Sequence, residues 1–205
     1  MATTVQLFLA LLVATAAAQD VADPVKVDVY FETLCPDSIA FFVDQLQPTW
    51  KAVPEILQVE LTAYGFASVT PSEDGYTFEC QHGANECHGN LVVSCAKSII
   101  VEHNTFVDFT ICLMTGESPP DEGERCAQEV GVEWDPINQC AESVDGELLL
   151  YEQGQKQEAL DPVPDWMPWI IINDEFTEDN LVEAQVDLLN LVCRVYEGSP
   201  PPGCA

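Results

Sequence analysis

Positive charge is what this sequence has least of. Six Lys and Arg residues stand against 35 Asp and Glu, and the formal net charge of the 205 residues is -29. A field of that sign repels phosphate backbones and anionic lipids, so we expect neither nucleic acid nor a membrane surface as a partner. The acidic composition suits a soluble surface, a cationic partner, or an acidic compartment in which many carboxylates are protonated.

Long apolar runs are scarce as well. The stretch "LFLALLVATAAA" at residues 7–18 is too short to span a bilayer but has the length of the apolar core of a signal peptide. Residues 16–18 offer a small-residue cleavage site, and no later apolar stretch approaches the ~18 residues of a membrane span. We therefore predict a signal peptide over residues 1–18 and a single domain over 19–205 without a membrane anchor.

The chain also lacks an N-x-S/T sequon, since Asn104-Thr105-Phe106 fails at its third position. Without N-glycans, glycan-dependent sorting to lysosomes has nothing to act on. Secretion is the predicted destination, with the lysosome or endosome as the alternative.

Cysteine, in contrast, is abundant. An exported chain passes through an oxidising compartment, so its cysteines are expected to form disulfides. Four bridges among nine cysteines leave one thiol over, and eight paired cysteines allow 105 pairings, which the sequence leaves open. The nine are Cys35, Cys80, Cys87, Cys95, Cys112, Cys126, Cys140, Cys193 and Cys204.

Apolar patterns predict the regular elements at the two ends of the chain. Residues 25–31 and 169–173 are β-branched or aromatic and predict buried strands, and the alternation in residues 56–64 predicts another. An apolar stripe at helical spacing predicts a helix over residues 36–50. A closing helix over residues 181–195 is predicted from the apolar face Leu181, Val182, Leu188, Leu189, Val192 and Val195, with Gly198 as its C-cap.

The middle of the chain, about 80–160, has a different character. It carries six of the nine cysteines and helical patterns around residues 86–103, 122–131 and 136–158. We interpret it as a helical insertion pinned by disulfides. The order strand, helix, strand, insertion, strand and helix predicts an α/β fold, namely a thioredoxin-like domain that carries this insertion.

Cys35 is the leading candidate for chemistry. It lies at the junction between the first predicted strand and the following helix. Pro36 occupies the first position of that helix, where a missing N–H costs nothing. The N-terminus of a helix favours a thiolate through its dipole and its unpaired N–H groups. The alternative is a buried, inert cysteine. Pro168, at the start of the strand "WIIIN", has the chain position of the cis-proline that faces the reactive cysteine in thioredoxin-like folds, so we predict a cis Met167–Pro168 bond beside Cys35.

The string "CQHGANECHGNLVVSC", from Cys80 to Cys95, is the most specific in the chain. Its cysteines and histidines, Cys80, His82, Cys87, His88 and Cys95, allow a zinc-site reading, although their spacing matches no common zinc finger. The string also fits the signature C-Q-H-G-x-x-E-C-x-x-N-x-x-x-x-C at every fixed position. Those positions are Cys80, Gln81, His82, Gly83, Glu86, Cys87, Asn90 and Cys95.

The chain thus resembles the gamma-interferon-inducible lysosomal thiol reductase family. The resemblance extends to "YFETLCP", "MPWIIIN" and "LVCRVYEGSPPPGC", and so covers residues 25–204. It implies a thioredoxin-like fold and the reduction of protein disulfides, with Cys35 as the attacking cysteine and Pro168 opposite it. Ser38 stands where the family has its resolving cysteine.

Ser38 changes the expected mechanism. A resolving thiol attacks the mixed disulfide that the first cysteine forms with a substrate, and a serine hydroxyl cannot take over that step. Because positions i and i+3 share a helix face, we expect the Ser38 side chain to point toward Cys35, where it would donate a hydrogen bond to the thiolate. Release then falls to an external thiol such as glutathione or cysteine, and no bound cofactor or metal is expected.

The expected function is therefore thiol-disulfide exchange on protein substrates through Cys35, with the other eight cysteines closed in four bridges. A catalytically silent secreted binding protein that keeps the fold is the alternative. A disulfide-rich lipid binder is a third, and it would need exposed apolar grooves. The substrate, the oligomeric state and the working pH are left open by the sequence.

Overall fold

A three-stranded sheet forms the centre of the computed structural model, which describes residues 22–205; the predicted signal peptide lies outside the described residues. Strand β1 (Val25–Phe31) lies between β2 (Leu57–Ala63) and β5 (Trp169–Ile172). It is parallel to β2 and antiparallel to β5. β1 and β5 are buried along almost their whole length, which explains their continuous apolar sequences.

The helix after β1 is the element that presents Cys35. It runs as α1 (Pro36–Phe41), a π-helical turn (Phe42–Leu46) and α2 (Gln47–Ala52). The predicted helix is confirmed, although it extends to Ala52 and contains the π-helical turn. Phe42 and Leu46 are fully buried, and the Phe42 ring lies 4.8 Å from that of Phe31 in β1. The apolar stripe therefore packs the helix onto the sheet.

Between β2 and β5 the chain forms a hairpin and five helices. The hairpin consists of β3 (Ser68–Pro71) and β4 (Tyr76–Glu79), which pair antiparallel. The helices are α3 (Ala84–Ile99), α4 (His103–Met114), α5 (Gly123–Val130), α6 (Trp134–Ala141) and α7 (Val144–Glu158).

The sequence did not predict the hairpin or α4. The second half of α4 is buried on all sides, so it shows no apolar stripe at helical spacing. Two predicted boundaries were also wrong. The pattern at 86–103 ends at Ile99, and the pattern at 136–158 is two helices, with Ser143 capping the second by accepting a hydrogen bond from the Gly146 N–H.

Four disulfides pin this region and the C-terminal segment. They are Cys80–Cys87, Cys95–Cys140, Cys112–Cys126 and Cys193–Cys204. The second ties α3 to α6 and the third ties α4 to α5. The zinc reading of the signature is wrong, because Cys80, Cys87 and Cys95 are all oxidised.

The closing helix α8 (Glu178–Val195) begins earlier than predicted, where Thr177 caps it by accepting a hydrogen bond from the Asn180 N–H at 3.1 Å. Gly198 is not its C-cap, because the helix ends at Val195 and the extended Tyr196 follows. Val182, expected on the apolar face, is 57% exposed. Among the described helices, none combines the length and the apolar character of a membrane span.

Candidate active site

Cys35 lies where the strand β1 gives way to the helix. It is the N-cap of α1, and its carbonyl accepts the first helical hydrogen bond, from the Ile39 N–H at 2.9 Å. The residue is buried, with 7% of its surface exposed. Residues 22–205 contain all nine cysteines, and within them Cys35 alone is unpaired. Cys35 is therefore the cysteine of the described residues that remains available for thiol chemistry.

The segment before β5 closes one side of the thiol. The Cys35 Sγ lies 3.9 Å from the carbonyl oxygen of Met167, within the range of a weak S–H···O hydrogen bond. The Met167–Pro168 peptide bond is cis, as predicted, and so is Asp161–Pro162. Pro168 directly follows Met167, whose carbonyl oxygen contacts the thiol. The sequence had pointed to Pro168 but not to the Met167 carbonyl.

The hydrogen bond expected between Ser38 and the thiol does not form. Its side chain is fully buried, and its Oγ accepts a long hydrogen bond of 3.4 Å from the backbone N–H of Glu32. Among the hydrogen bonds of residues 22–205, none joins Ser38 to Cys35. The physical reason is that Glu32 directly follows the last residue of β1, where its buried N–H needs an acceptor and finds it in the Ser38 hydroxyl.

The loop between β1 and Cys35 is held by the first two turns of α3. The Thr33 N–H and hydroxyl both donate to Asn90 Oδ1, at 3.2 and 3.0 Å, and the hydroxyl also reaches the Glu86 carbonyl at 3.1 Å. The Leu34 N–H donates to the Glu86 carboxylate at 3.3 Å. Glu86 and Asn90 are signature residues, and both are fully buried. The signature thus lies directly behind the loop that carries Cys35.

Close packing of that loop requires a glycine in α3. A Cβ at Gly89 would overlap the Thr33 hydroxyl and come within 2.9 Å of the Thr33 Cβ. Gly89 falls at a variable position of the signature, so the sequence did not single it out. Thr33 was also missed, although a polar pair, Glu32-Thr33, directly after a buried strand is a usable signal.

The signature residues His82 and Glu86 form a cluster with Glu32 at the same loop. His82 Nδ1 is 2.5 Å from Glu86 Oε2 and 3.6 Å from Glu32 Oε2, and both carboxylates are buried. The Glu32 carboxylate also accepts a hydrogen bond of 2.6 Å from the Phe66 N–H. Burial is the main cause that raises the pKa of Glu32; the neighbouring Glu86 raises it further, while the Phe66 N–H and His82 lower it.

The same three side chains place one ligand atom each within 4.8 Å of one another, as a metal site would. Ligands at tetrahedral zinc lie about 2.0–2.2 Å from the ion and so more than about 3 Å from each other. His82 Nδ1 and Glu86 Oε2 are closer than that, at 2.5 Å. The geometry is that of a hydrogen-bonded cluster.

Comparison with known proteins decides the family. The family model "Gamma interferon inducible lysosomal thiol reductase (GILT)" matches residues 26–130. The chain is 36% identical over 188 residues to the "Gamma-interferon-inducible lysosomal thiol reductase" of Carassius auratus, covering 89% of this chain and 73% of that protein. The chain belongs to the GILT family. "GILT-like protein 1" of Drosophila melanogaster is 33% identical over 211 residues, covering 96% of this chain and 83% of its own length.

Solved structures agree on the fold. The reduced disulfide bond oxidoreductase DsbG of Mycobacterium tuberculosis superposes with a TM-score of 0.54 at 17% identity, covering 91% of this chain and 88% of that chain. DsbA of Chlamydia trachomatis gives 0.54 at 12% identity, covering 87% and 90%. The predicted thioredoxin-like fold with a helical insertion is confirmed, and this member of the GILT family is a thiol-disulfide oxidoreductase.

Proposed function

We propose that this protein exchanges the disulfides of protein substrates through Cys35 alone, and that an external low-molecular-weight thiol completes each cycle. One observation carries the proposal. Cys35 is the unpaired cysteine at the N-cap of α1, while Ser38, at the position of the family's second cysteine, is buried and accepts a hydrogen bond from the Glu32 N–H.

The first step needs only Cys35. Its thiolate attacks one sulfur of a substrate disulfide, a new sulfur–sulfur bond forms, and the other substrate sulfur leaves as a thiolate that takes up a proton. The backbone around Met167 and Pro168 borders the thiol on one side, so we place the attacked disulfide against this segment. The product is a mixed disulfide between Cys35 and the substrate.

The second step needs an outside thiol. A glutathione or cysteine thiolate attacks Cys35 in the mixed disulfide and releases the second substrate thiol. A second external thiolate then attacks the mixed disulfide between Cys35 and the first external thiol. This regenerates the Cys35 thiolate and releases the external disulfide, so two external thiols are oxidised for each substrate disulfide reduced. The Ser38 hydroxyl, with a far higher pKa than a thiol, takes no part in this exchange.

The need for an external thiolate bears on where the protein works. A thiol with a pKa near 8.5 is only about 0.03% ionised at pH ~5 and roughly a hundredfold more at pH ~7. Four disulfides support an oxidising, non-cytosolic compartment. We therefore propose secretion, and keep the lysosome or endosome as the alternative.

Turnover of a fluorescent peptide disulfide tests the proposal. We expect the pre-reduced wild-type protein to form a Cys35 mixed disulfide without glutathione and to turn over only when glutathione is added. Cys35→Ala should abolish both steps, and its matched control is a buried substitution away from the site, Thr110→Ala. Thr110 hydrogen-bonds only within α4, to the Phe106 carbonyl.

Two results would contradict the proposal. Equal turnover by Cys35→Ala would remove the thiol from the mechanism. A wild-type protein that forms no mixed disulfide with any peptide, with or without glutathione, would instead favour the silent binding protein.

A further inference from the structure

We infer that Glu86 and Asn90 are positioning residues of the thiol exchange, because they fix the β1–α1 loop that presents Cys35; this inference rests on the proposed function. Among the hydrogen bonds of residues 22–205, none joins either residue to the Cys35 sulfur. Each acts through the backbone of the residues that precede Cys35.

The hydrogen-bond partners of the loop support this role. The N–H groups of Glu32, Thr33 and Leu34, the three residues before Cys35, donate to Ser38 Oγ, Asn90 Oδ1 and Glu86 Oε2 in turn. All three acceptors are side-chain atoms. The loop is thus positioned by side chains rather than by a strand or helix ladder, and two of the three come from α3.

Glu86 is suited to this task because each oxygen of its carboxylate accepts a hydrogen bond from a backbone N–H. Its Oε1 accepts the His82 N–H at 3.0 Å, and its Oε2 contacts His82 Nδ1 and the Leu34 N–H. Replacement by glutamine keeps the shape but turns one acceptor oxygen into an NH2 group that meets a donor. Hydrogen bonds to a charged acceptor are the stronger kind, so the loop should loosen.

Asn90 uses both ends of its amide. Its oxygen accepts from the Thr33 N–H and hydroxyl, and its NH2 group donates to the Tyr64 carbonyl at 3.4 Å. It therefore connects the loop to the chain that leaves β2. Asn90→Ala would remove both connections and leave the Thr33 N–H without its acceptor.

A loose loop affects two reactions of Cys35 differently. Iodoacetamide is small and needs only access to the thiol of Cys35, a residue that is 7% exposed in the folded protein. A peptide disulfide needs the thiol held at a fixed position beside the Met167 segment, because attack depends on alignment as well as access. The ratio of peptide-disulfide attack to alkylation therefore reports positioning and divides out any change in thiolate content.

The experiment measures that ratio at one pH for the pre-reduced full chain, without an external thiol. We expect Glu86→Gln and Asn90→Ala to lower it by about tenfold, with faster hydrogen exchange at the Leu34 and Thr33 amides. Thr33→Val, which keeps the side-chain shape and removes only the hydroxyl contacts, should lower it less. The matched control is Ser94→Ala, a buried position on the same helix whose hydroxyl contacts the Asn90 carbonyl and not the loop.

The outcomes separate the inference from the function on which it rests. An unchanged ratio in all three loop variants would overturn the positioning role, and so would an equal fall in Ser94→Ala. A wild-type protein that is alkylated but attacks no peptide disulfide would overturn the proposed function instead, and the amide exchange rates would then still test the loop. If Glu86→Gln and Asn90→Ala do not fold, Thr33→Val and its exchange rates decide.

Discussion

The Ser38 hydroxyl is buried and forms a single, long hydrogen bond. Its Oγ accepts the Glu32 N–H at 3.4 Å, near the outer limit for such a bond. A neutral hydrogen bond of ordinary geometry contributes about 0.5–1.5 kcal/mol to stability, and one this long contributes at the low end. Replacement of the oxygen by sulfur should therefore cost the fold little.

Ser38→Cys should restore an internal second step. Residues three apart at the start of a helix have Cα atoms close enough for a disulfide, so rotation of the new side chain away from Glu32 can bring its sulfur to Cys35. We expect the pre-reduced variant to release a reduced peptide in a single turnover without glutathione and to end with a 35–38 disulfide. Rapid quench and mass spectrometry would detect both products.

The double variant Cys35→Ala/Ser38→Cys is the control and should release nothing. A Ser38→Cys protein that forms the 35–38 disulfide yet releases peptide no faster than wild type would show that the site at Met167 no longer fits a peptide disulfide.

Local signals in the sequence were enough to find some of these residues but not others. Cys35, Pro36 and Pro168 each sit at the end or start of a predictable element, and the structure places the thiol beside the residue before Pro168. The roles of Glu86 and Asn90 depend on contacts with residues more than 50 positions away. Such contacts leave no local pattern, so the signature could be recognised as a motif but not given a task.

At the scale of elements, β1, the helix after it and β5 form the site, and all three were predictable. Each is long or strongly apolar and packs on one core. The hydrogen-bond partner of the Ser38 hydroxyl was not, because it depends on which backbone N–H lies free at the end of β1.

The kink in α8 shows the same limit. Asp187 has non-helical torsion angles, φ -155° and ψ 70°, and the Leu188 N–H donates to Gln45 Oε1 at 3.2 Å. Gln45 belongs to the π-helical turn that follows α1. The π-helical turn thus supplies the hydrogen-bond acceptor for the N–H group beside the kink in α8. Neither irregularity can be predicted from its own stretch of sequence.

For the molecule as a whole, the electrostatic field is the dominant feature. Five of its six basic residues, Lys26, Lys97, Arg125, Lys156 and Arg194, are engaged in contacts within the chain. Little positive charge is left for an anionic partner. The external thiol must therefore approach Cys35 through a field set by 35 acidic residues.

The charge of the external thiol should therefore set the rate of the second step. Normalised to thiolate concentration, the rate of resolution of a Cys35 mixed disulfide should fall in the order cysteamine, cysteine, glutathione. Raising the ionic strength from about 0.01 to about 1 M shortens the Debye length from ~30 to ~3 Å and should bring the three rates together. Stopped-flow measurement would check this, with 2-mercaptoethanol, whose thiolate carries one negative charge like that of cysteine, as the reference. A salt-independent order would contradict it.

Two buried carboxylates make the stability of the folded chain depend on pH. Burial is the main cause that raises the pKa of Asp28 in β1, as it does for Glu32. A raised pKa means tighter proton binding in the folded chain, so this stabilisation is complete below the ordinary carboxyl pKa of about 4 and is lost as pH rises through the folded values. The pKa of Glu122 shifts in the opposite direction, because its hydrogen bond with Arg125 lowers it. That pair is partly exposed and screened by solvent.

The free energy of unfolding measured by denaturant titration should accordingly fall as the pH rises above about 4. The double variant Asp28→Asn/Glu32→Gln carries no protons at these sites and should show a flatter profile, with a smaller loss toward neutral pH. A profile as steep as that of the wild type would assign the slope to the acidic surface. A protein that leaves an acidic compartment for a neutral one would thus give up protons and stability together.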